Sequence, residues 1–261
     1  MVTLLLVGGA AVFGPVIWAI DASATDPARA LAGPSGAHPF GTDELGRDVL
    51  SRLMHGAQVT LLVGVASMLA ALVLGVLVGG LAGFYGGWLD ALLMRLTDAM
   101  LAVPAFFLIL VVVTVAGSSV ATLVLVIGGL SWMPVARVVY GETLRWKTAE
   151  FVQAAESLGV APARILARHV LPQTIPSLVV AATLGVAYAI LTESAVSYLG
   201  LGIQPPTPSW GNMLQRAQQY VFTAPSLALY PGISITVVVL AFNFLGDGLR
   251  DALDPRSQLR R

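Results

Sequence analysis

Few side chains in this chain of 261 residues are placed to do chemistry. Three histidines, His38, His55 and His169, lie far apart, and there is no cysteine. Disulfides and thiolate metal sites are therefore excluded, and the scattered histidines argue against a zinc centre built by the protein. No GxxxxGK[ST] loop is present to cradle a nucleotide's phosphates. Two features remain. One is a single acid, Glu193, inside a long apolar run. The other is an ordered polar stretch between apolar runs, residues 150–172, EFVQAAESLGVAPARILARHVLP. An acid within a membrane is costly and faces protein or water. Glu193 is thus either a pathway group near an outer gate or a structural hydrogen-bonding group facing a companion subunit. The polar stretch suits force transmission, since a short rigid helix in a partner's groove carries displacement into the spans it joins. An inert amphipathic connector is the blander reading.

The elements that position these groups are membrane helices. Apolar residues make up 57% of the chain and charged residues 11%, against about 25% charged in soluble domains. With 14 basic and 14 acidic residues, no basic surface for nucleic acid is expected. A helical span needs about 20 apolar residues. Six runs qualify, near 1–20, 60–84, 98–116, 119–139, 173–196 and 226–246, with Gly117 to Ser119 dividing the third from the fourth. The expected fold is an all-α polytopic membrane protein with six spans. Continuous apolarity excludes the alternating strands of a β-barrel. The first run is read as a retained helix, because no Lys or Arg precedes it.

Charge orients the bundle. With 141–172 inside, the cytoplasmic face holds Arg95, Arg137, Arg145, Lys147, Arg164 and Arg168, and the tail adds Arg250, Arg256, Arg260 and Arg261. Only Arg29, Arg47, Arg52 and Arg216 fall outside, as the positive-inside rule requires. Both termini are then cytoplasmic, and 21–59 and 197–225 are extracytoplasmic. Val49, Leu50 and Leu53 oppose Arg47, Asp48 and Arg52 in an interfacial amphipathic helix feeding the second span. Asp43, Glu44 and Asp48 are read as a solvated turn or a contact for an outer partner. Trp210 and Tyr220 suit interface anchors. Gly75, Gly79 and Gly83 repeat every four residues and permit close helix approach. Asp98 and the group Asp247, Arg250, Asp251 and Asp254 are expected to anchor helix ends or pair across subunits, with a docking contact for a driving partner as the alternative.

Within 150–172, Thr148 is expected to cap a helix with Glu150 in its first turn. Phe151, Val152, Ala155, Leu158 and Gly159 form its apolar face. The small Ala154, Ala155 and Gly159 would let a partner seat closely. Pro162 favours a second helix over about 163–170, bearing Arg164 and Arg168, before Pro172 and Pro176 mark entry to the fifth span.

This stretch resembles the EAA signature of permease subunits in binding-protein-dependent ABC importers. That signature reads Glu-Ala-Ala, three residues, Gly, nine residues, Ile, one residue, Leu-Pro. Gln153 stands at the Glu position and His169 at the Ile position, while Ala154, Ala155, Gly159, Leu171 and Pro172 match. Residues 38–64, 190–213 and 243–256 also look like the second permease of the dipeptide, oligopeptide and nickel group. A longer N-terminal stretch is common in that group.

The resemblance implies a type I importer transmembrane domain in a prokaryotic inner membrane. It implies a homologous second permease, two ATP-binding cassette subunits that use ATP and magnesium, and an extracytoplasmic substrate-binding protein. This chain itself would bind no cofactor and catalyse nothing. Peptides are the favoured cargo, with nickel or another small solute as the alternative and a non-transport scaffold as a different class. Glu150, Gln153, Ala154, Ala155, Glu156, Gly159, Leu171 and Pro172 would form the ATPase-coupling region. A bulky residue at Gly159 would then uncouple ATP use from uptake.

Overall fold

The structure is a computed structural model, and it describes residues 2–253. Eleven α-helices are seen among them: α1 (Val2–Ile17), α2 (Val49–Tyr85), α3 (Gly87–Leu101), α4 (Ala105–Ala116), α5 (Val120–Leu130), α6 (Trp132–Lys147), α7 (Glu150–Ser157), α8 (Pro162–Ile165), α9 (Leu171–Tyr198), α10 (Trp210–Ala217) and α11 (Ser226–Leu253). Four stretches are long and apolar enough to cross a bilayer: α2, α5 with α6, α8 through α9, and α11. The pair α3 and α4, bent by 84°, gives a fifth if it counts as one span. The expected count of six is therefore not met by length alone. At 16 residues, α1 rises about 24 Å, short of a hydrocarbon core of about 30 Å.

Several expected boundaries move for local reasons. The second span and its interfacial helix are one continuous 37-residue helix, α2. The expected span 98–116 is broken before Pro104, whose ring disfavours helix at the preceding residue. Ser131 separates α5 from α6, and Pro134 sits in the first turn of α6, where its missing N–H costs nothing.

The chain forms two compact units. One comprises the chain up to Ala66, Leu110–Val124 and Val186–Phe242. Its outer segment is held by buried charge. Asp43 accepts from Arg47 Nε at 2.7 Å and ion-pairs with Arg52 at 3.4 Å, while Glu44 takes Arg47 at 3.0 Å. Asp48 accepts from Trp18 Nε1 at 3.0 Å and contacts His38 Nδ1 at 2.8 Å. Asp43, Arg47, Asp48 and Arg52 are all buried, so the solvated turn and polar helix face read from the sequence are corrected. Asp43, Glu44, Arg47 and Arg52 neutralise one another as a network, and Asp48 is satisfied by hydrogen bonds, which is what permits their burial. Trp210 is corrected too: it is only 2% exposed, and its indole N–H bonds the Leu53 carbonyl at 3.0 Å. Ser209 and Asn212 cap α10 reciprocally, and Asn212 Nδ2 also holds the carbonyls of Ile203 and Thr207.

The other unit comprises Ser67–Ile109, Leu125–Gly185 and the residues from Asn243 onward. The glycine stripe finds its partner here in α6. A Cβ at Gly79 would lie 2.3 Å from the Ala136 carbonyl oxygen, and one at Gly75 would lie 2.6 Å from the Val135 side chain. Backbone cannot retreat as a flexible side chain can. Gly79→Leu is expected to cost about 3 kcal/mol or more and to leave little monodisperse protein in size-exclusion chromatography. Gly129→Leu, with nothing near its Cβ, is the control and should elute normally.

Candidate functional site

The polar stretch becomes a clamped helix. Ala149 rather than Thr148 occupies the N-cap of α7, and Thr148 instead ends α6. Glu150 lies in the first turn as expected. The helix ends in a Schellman motif: Val160 N–H bonds the Ala155 carbonyl at 3.1 Å, and Gly159 N–H bonds that of Glu156 at 2.9 Å. Gly159 has φ +75°, and a Cβ there would meet nothing within 4 Å. The glycine is therefore needed for the left-handed turn, not for close seating within this chain. A side chain there costs about 1 kcal/mol or more in backbone strain.

The buried face of α7 is narrower than its sequence suggests. Val152 and Ala155 are buried, while Phe151 and Leu158 are exposed, Leu158 at 84%. Val152 and Ala155 join Phe84 of α2, Ile165 of α8, and Leu166 and Val170 in one apolar cluster, flanked by Trp146 of α6, Val160 and Leu171. Of the expected coupling residues, Ala155 thus faces inward and Leu171 flanks the cluster, whereas Glu150, Gln153, Ala154, Glu156, Gly159 and Pro172 are exposed. The second helix is also corrected. After α8, Leu166–Val170 form a π turn that runs directly into α9. That widened turn makes room for the Pro172 ring, which would otherwise press on the carbonyl four residues earlier.

Residues outside the recognised signature complete the clamp. Lys147 Nζ bonds the Phe84 carbonyl at the end of α2 and lies 5.6 Å from the Phe84 ring. A cation suits that helix terminus. Glu142 of α6 accepts from Trp146 Nε1 at 3.2 Å and from Ser177 of α9 at 2.7 Å. The clamp therefore ties α7 to the ends of α2, α6 and α9. Val160 directly after Gly159 was the readable sign of the Schellman turn; nothing in the sequence marked Lys147.

Glu193 is fully buried. Ser197 donates to Oε1 at 2.7 Å, and Thr60 and Ser194 donate to Oε2 at 3.1 and 3.4 Å. The Thr60 and Ser197 hydroxyls in turn accept from the backbone N–H groups of Trp210 and Ile203. The structural hydrogen bonds that one of the two readings gave to a companion subunit are made within this chain, joining α2, α9, the loop at Ile203 and the start of α10. Asp98 pairs with Arg137, while Asp247 and Arg250 are exposed near the end of α11. Asp254 and the tail arginines Arg256, Arg260 and Arg261 lie outside the described residues.

Residues 75–258 match the family described as the binding-protein-dependent transport system inner membrane component. The chain belongs to this permease family. The permease is 41% identical over 94% of its length to the dipeptide transport system permease protein DppC of Alkalihalophilus pseudofirmus, covering 81% of that protein. It is 42% identical over 87% of its length to the glutathione transport system permease protein GsiD of Pectobacterium atrosepticum, covering 76% of that protein. The inward-facing MetNI methionine ABC transporter shares the fold, with a TM-score of 0.63 at 20% identity over 78% of this permease and 96% of that chain. The permease is thus a multi-pass inner-membrane component of an ABC importer. Such an importer also has ATPase subunits, a permease partner and a binding protein.

Proposed function

We propose that this permease forms half of an ATP-driven import route for di- and oligopeptides and is moved through α7 by a separate ATPase subunit. The observation that carries this reading is the clamp. A short helix with a fixed end is tied to three long helices and still presents Phe151, Gln153, Ala154, Glu156 and Leu158 outward. Displacement of that face reaches α2, α6 and α9 together. Glu150, Gln153, Ala154, Glu156 and Gly159 form the docking face, Ala155 and Leu171 set its base, and the exposed Pro172 marks the passage into α9. In this scheme α7 and both termini are cytoplasmic, ATP and magnesium stay with the partner subunits, and this chain catalyses nothing. Glu193 serves as an internal brace near the outer end of α9 instead of lining the route. Peptide cargo is supported by relatives named for dipeptide and glutathione transport.

The chain has no native cysteine, so Leu158→Cys carries a unique thiol. A photoreactive maleimide on it should capture the ATPase subunit in the assembled importer. The same label on Ser35→Cys, in the outer segment, should not. Equal capture from both positions, or none from Leu158, overturns the docking. Proteoliposomes should take up labelled dipeptide only with ATP inside the compartment that holds the ATPase. Uptake of nickel but not peptide overturns the cargo.

A further inference from the structure

A second polar feature lies far along the chain from the α7 clamp. A cleft of ≈ 520 Å³ opens where α1 ends and α2 begins, lined by Asp21, Ser23, His55, Gln58, Thr207 and the prolines 15, 206 and 208 among others. Its volume is in the range of small-molecule sites. What distinguishes it is the direction of its hydrogen-bonding capacity.

The hydrogen bonds made inside the fold leave an acceptor on three of these polar side chains. The Ser23 hydroxyl and backbone N–H both donate to Asp21 Oδ1, at 2.6 and 2.8 Å, so Oδ2 takes neither. His55 Nδ1 lies 2.9 Å from the Ser51 carbonyl. A carbonyl only accepts, so Nδ1 carries a proton, and in that tautomer Nε2 is the ring's acceptor. Gln58 Nε2 donates one of its two N–H groups to the Ala11 carbonyl at 2.8 Å, and Oε1 is an acceptor. The three prolines bring carbonyls and no backbone N–H. Asp21 is the one charged group among the named lining residues. Its carboxyl is held below the usual carboxylate range, first by the Ser23 hydroxyl and then by the Ser23 amide.

Acceptors on Asp21, His55 and Gln58 beside one anion match a ligand that donates hydrogen bonds and is positively charged. We propose that this cleft binds a primary ammonium group, supplied either by the N-terminus of a short peptide or by the ethanolamine headgroup of a phospholipid. The ammonium's three N–H groups would meet Asp21, His55 and Gln58, and its charge would be countered by Asp21. The inference does not depend on α7 or on the ATPase.

The test uses the full chain with its companion subunits in phosphatidylcholine nanodiscs, whose headgroups carry no N–H donor. Calorimetric titration with trialanine should show binding that weakens at least tenfold for N-acetyl-trialanine and for Asp21→Asn or His55→Phe. Asp21 is exposed and its side-chain hydrogen bonds are to Ser23 of its own turn, so Asp21→Asn is expected to leave folding intact. In nanodiscs that contain phosphatidylethanolamine, native mass spectrometry reads the other source. Retention of that lipid by the wild type and its loss from Asp21→Asn assign the cleft to the headgroup. The proposal is overturned if neither ligand's binding changes in the two variants, or if the acetylated peptide binds as well as the free one. Loss of ATP-driven uptake with ammonium binding intact would count against the transport reading alone.

Discussion

Asp43→Ala is expected to leave little folded permease. The carboxylate is 6% exposed and accepts from the backbone N–H groups of Leu45 and Arg47 at 2.9 and 3.0 Å. It also pairs with Nε of both Arg47 and Arg52. Without it, Arg47 keeps only Glu44, and Arg52 keeps the Ala22 carbonyl at 3.2 Å. Two guanidinium groups, 4% and 2% exposed, would then face each other with too little negative charge between them. Breaking a buried pair from one side costs about 3–5 kcal/mol, because the stranded charge cannot return to water. Thermal unfolding of the detergent-purified protein reads the loss as a lowered midpoint or as aggregation. The double variant Asp43→Ala with Arg47→Met should recover part of it, since removing both partners leaves fewer stranded charges. Wild-type stability in the single variant would mean that water reaches these charges and that the outer segment is not held by them.

The same cluster shows what was legible in the sequence and what was not. Charged residues between apolar runs default to solvent, so Asp43, Arg47, Asp48 and Arg52 read as a wet turn and a polar helix face. Their spacing held only part of the clue. Asp43 and Arg47 are four apart and opposite in sign and do pair, whereas Asp48 and Arg52, at the same spacing, take other partners: His38 and Trp18 for Asp48, and Asp43 for Arg52. Trp210 misled for a related reason. An indole prefers an interface when its N–H needs water, but here the Leu53 carbonyl satisfies it from a distant part of the chain. Long-range partners of this kind leave no local mark. The glycine stripe was readable because its message is local: bare backbone every four residues demands a close neighbour. The sequence could not say that the neighbour is α6. Around α7, the turn at Gly159 and the proline restart were legible as backbone chemistry. Which apolar residues face inward was not, because helical spacing put Phe151 and Leu158 on the same broad face as Val152.

That last distinction decides the second large effect. Val152→Asp is expected to abolish ATP-driven uptake while the companion subunits still hydrolyse ATP. Val152 is wholly buried between Phe84, Ala155, Ile165, Leu166 and Val170, and none of these side chains can pair with a carboxylate. An unpaired buried charge belongs to the few changes that cost about 4 kcal/mol or more. The chain has a cheaper escape than global unfolding. The cluster seats α7 and its flanking turns on Phe84 of α2 and Trp146 of α6, whereas α2 and α6 are also joined independently through Gly75, Gly79 and Gly83. Local release of α7 from its base therefore relieves the charge and leaves the spans packed. A released α7 still offers Leu158 to a partner but no longer passes displacement to α2, α6 and α9. The expected signature is preserved expression and monodispersity, ATP hydrolysis without peptide uptake, and faster hydrogen exchange confined to residues 149–170. Coupled uptake in Val152→Asp at the wild-type rate would show that α7 drives the spans without its apolar base, and the clamp would lose its mechanical role.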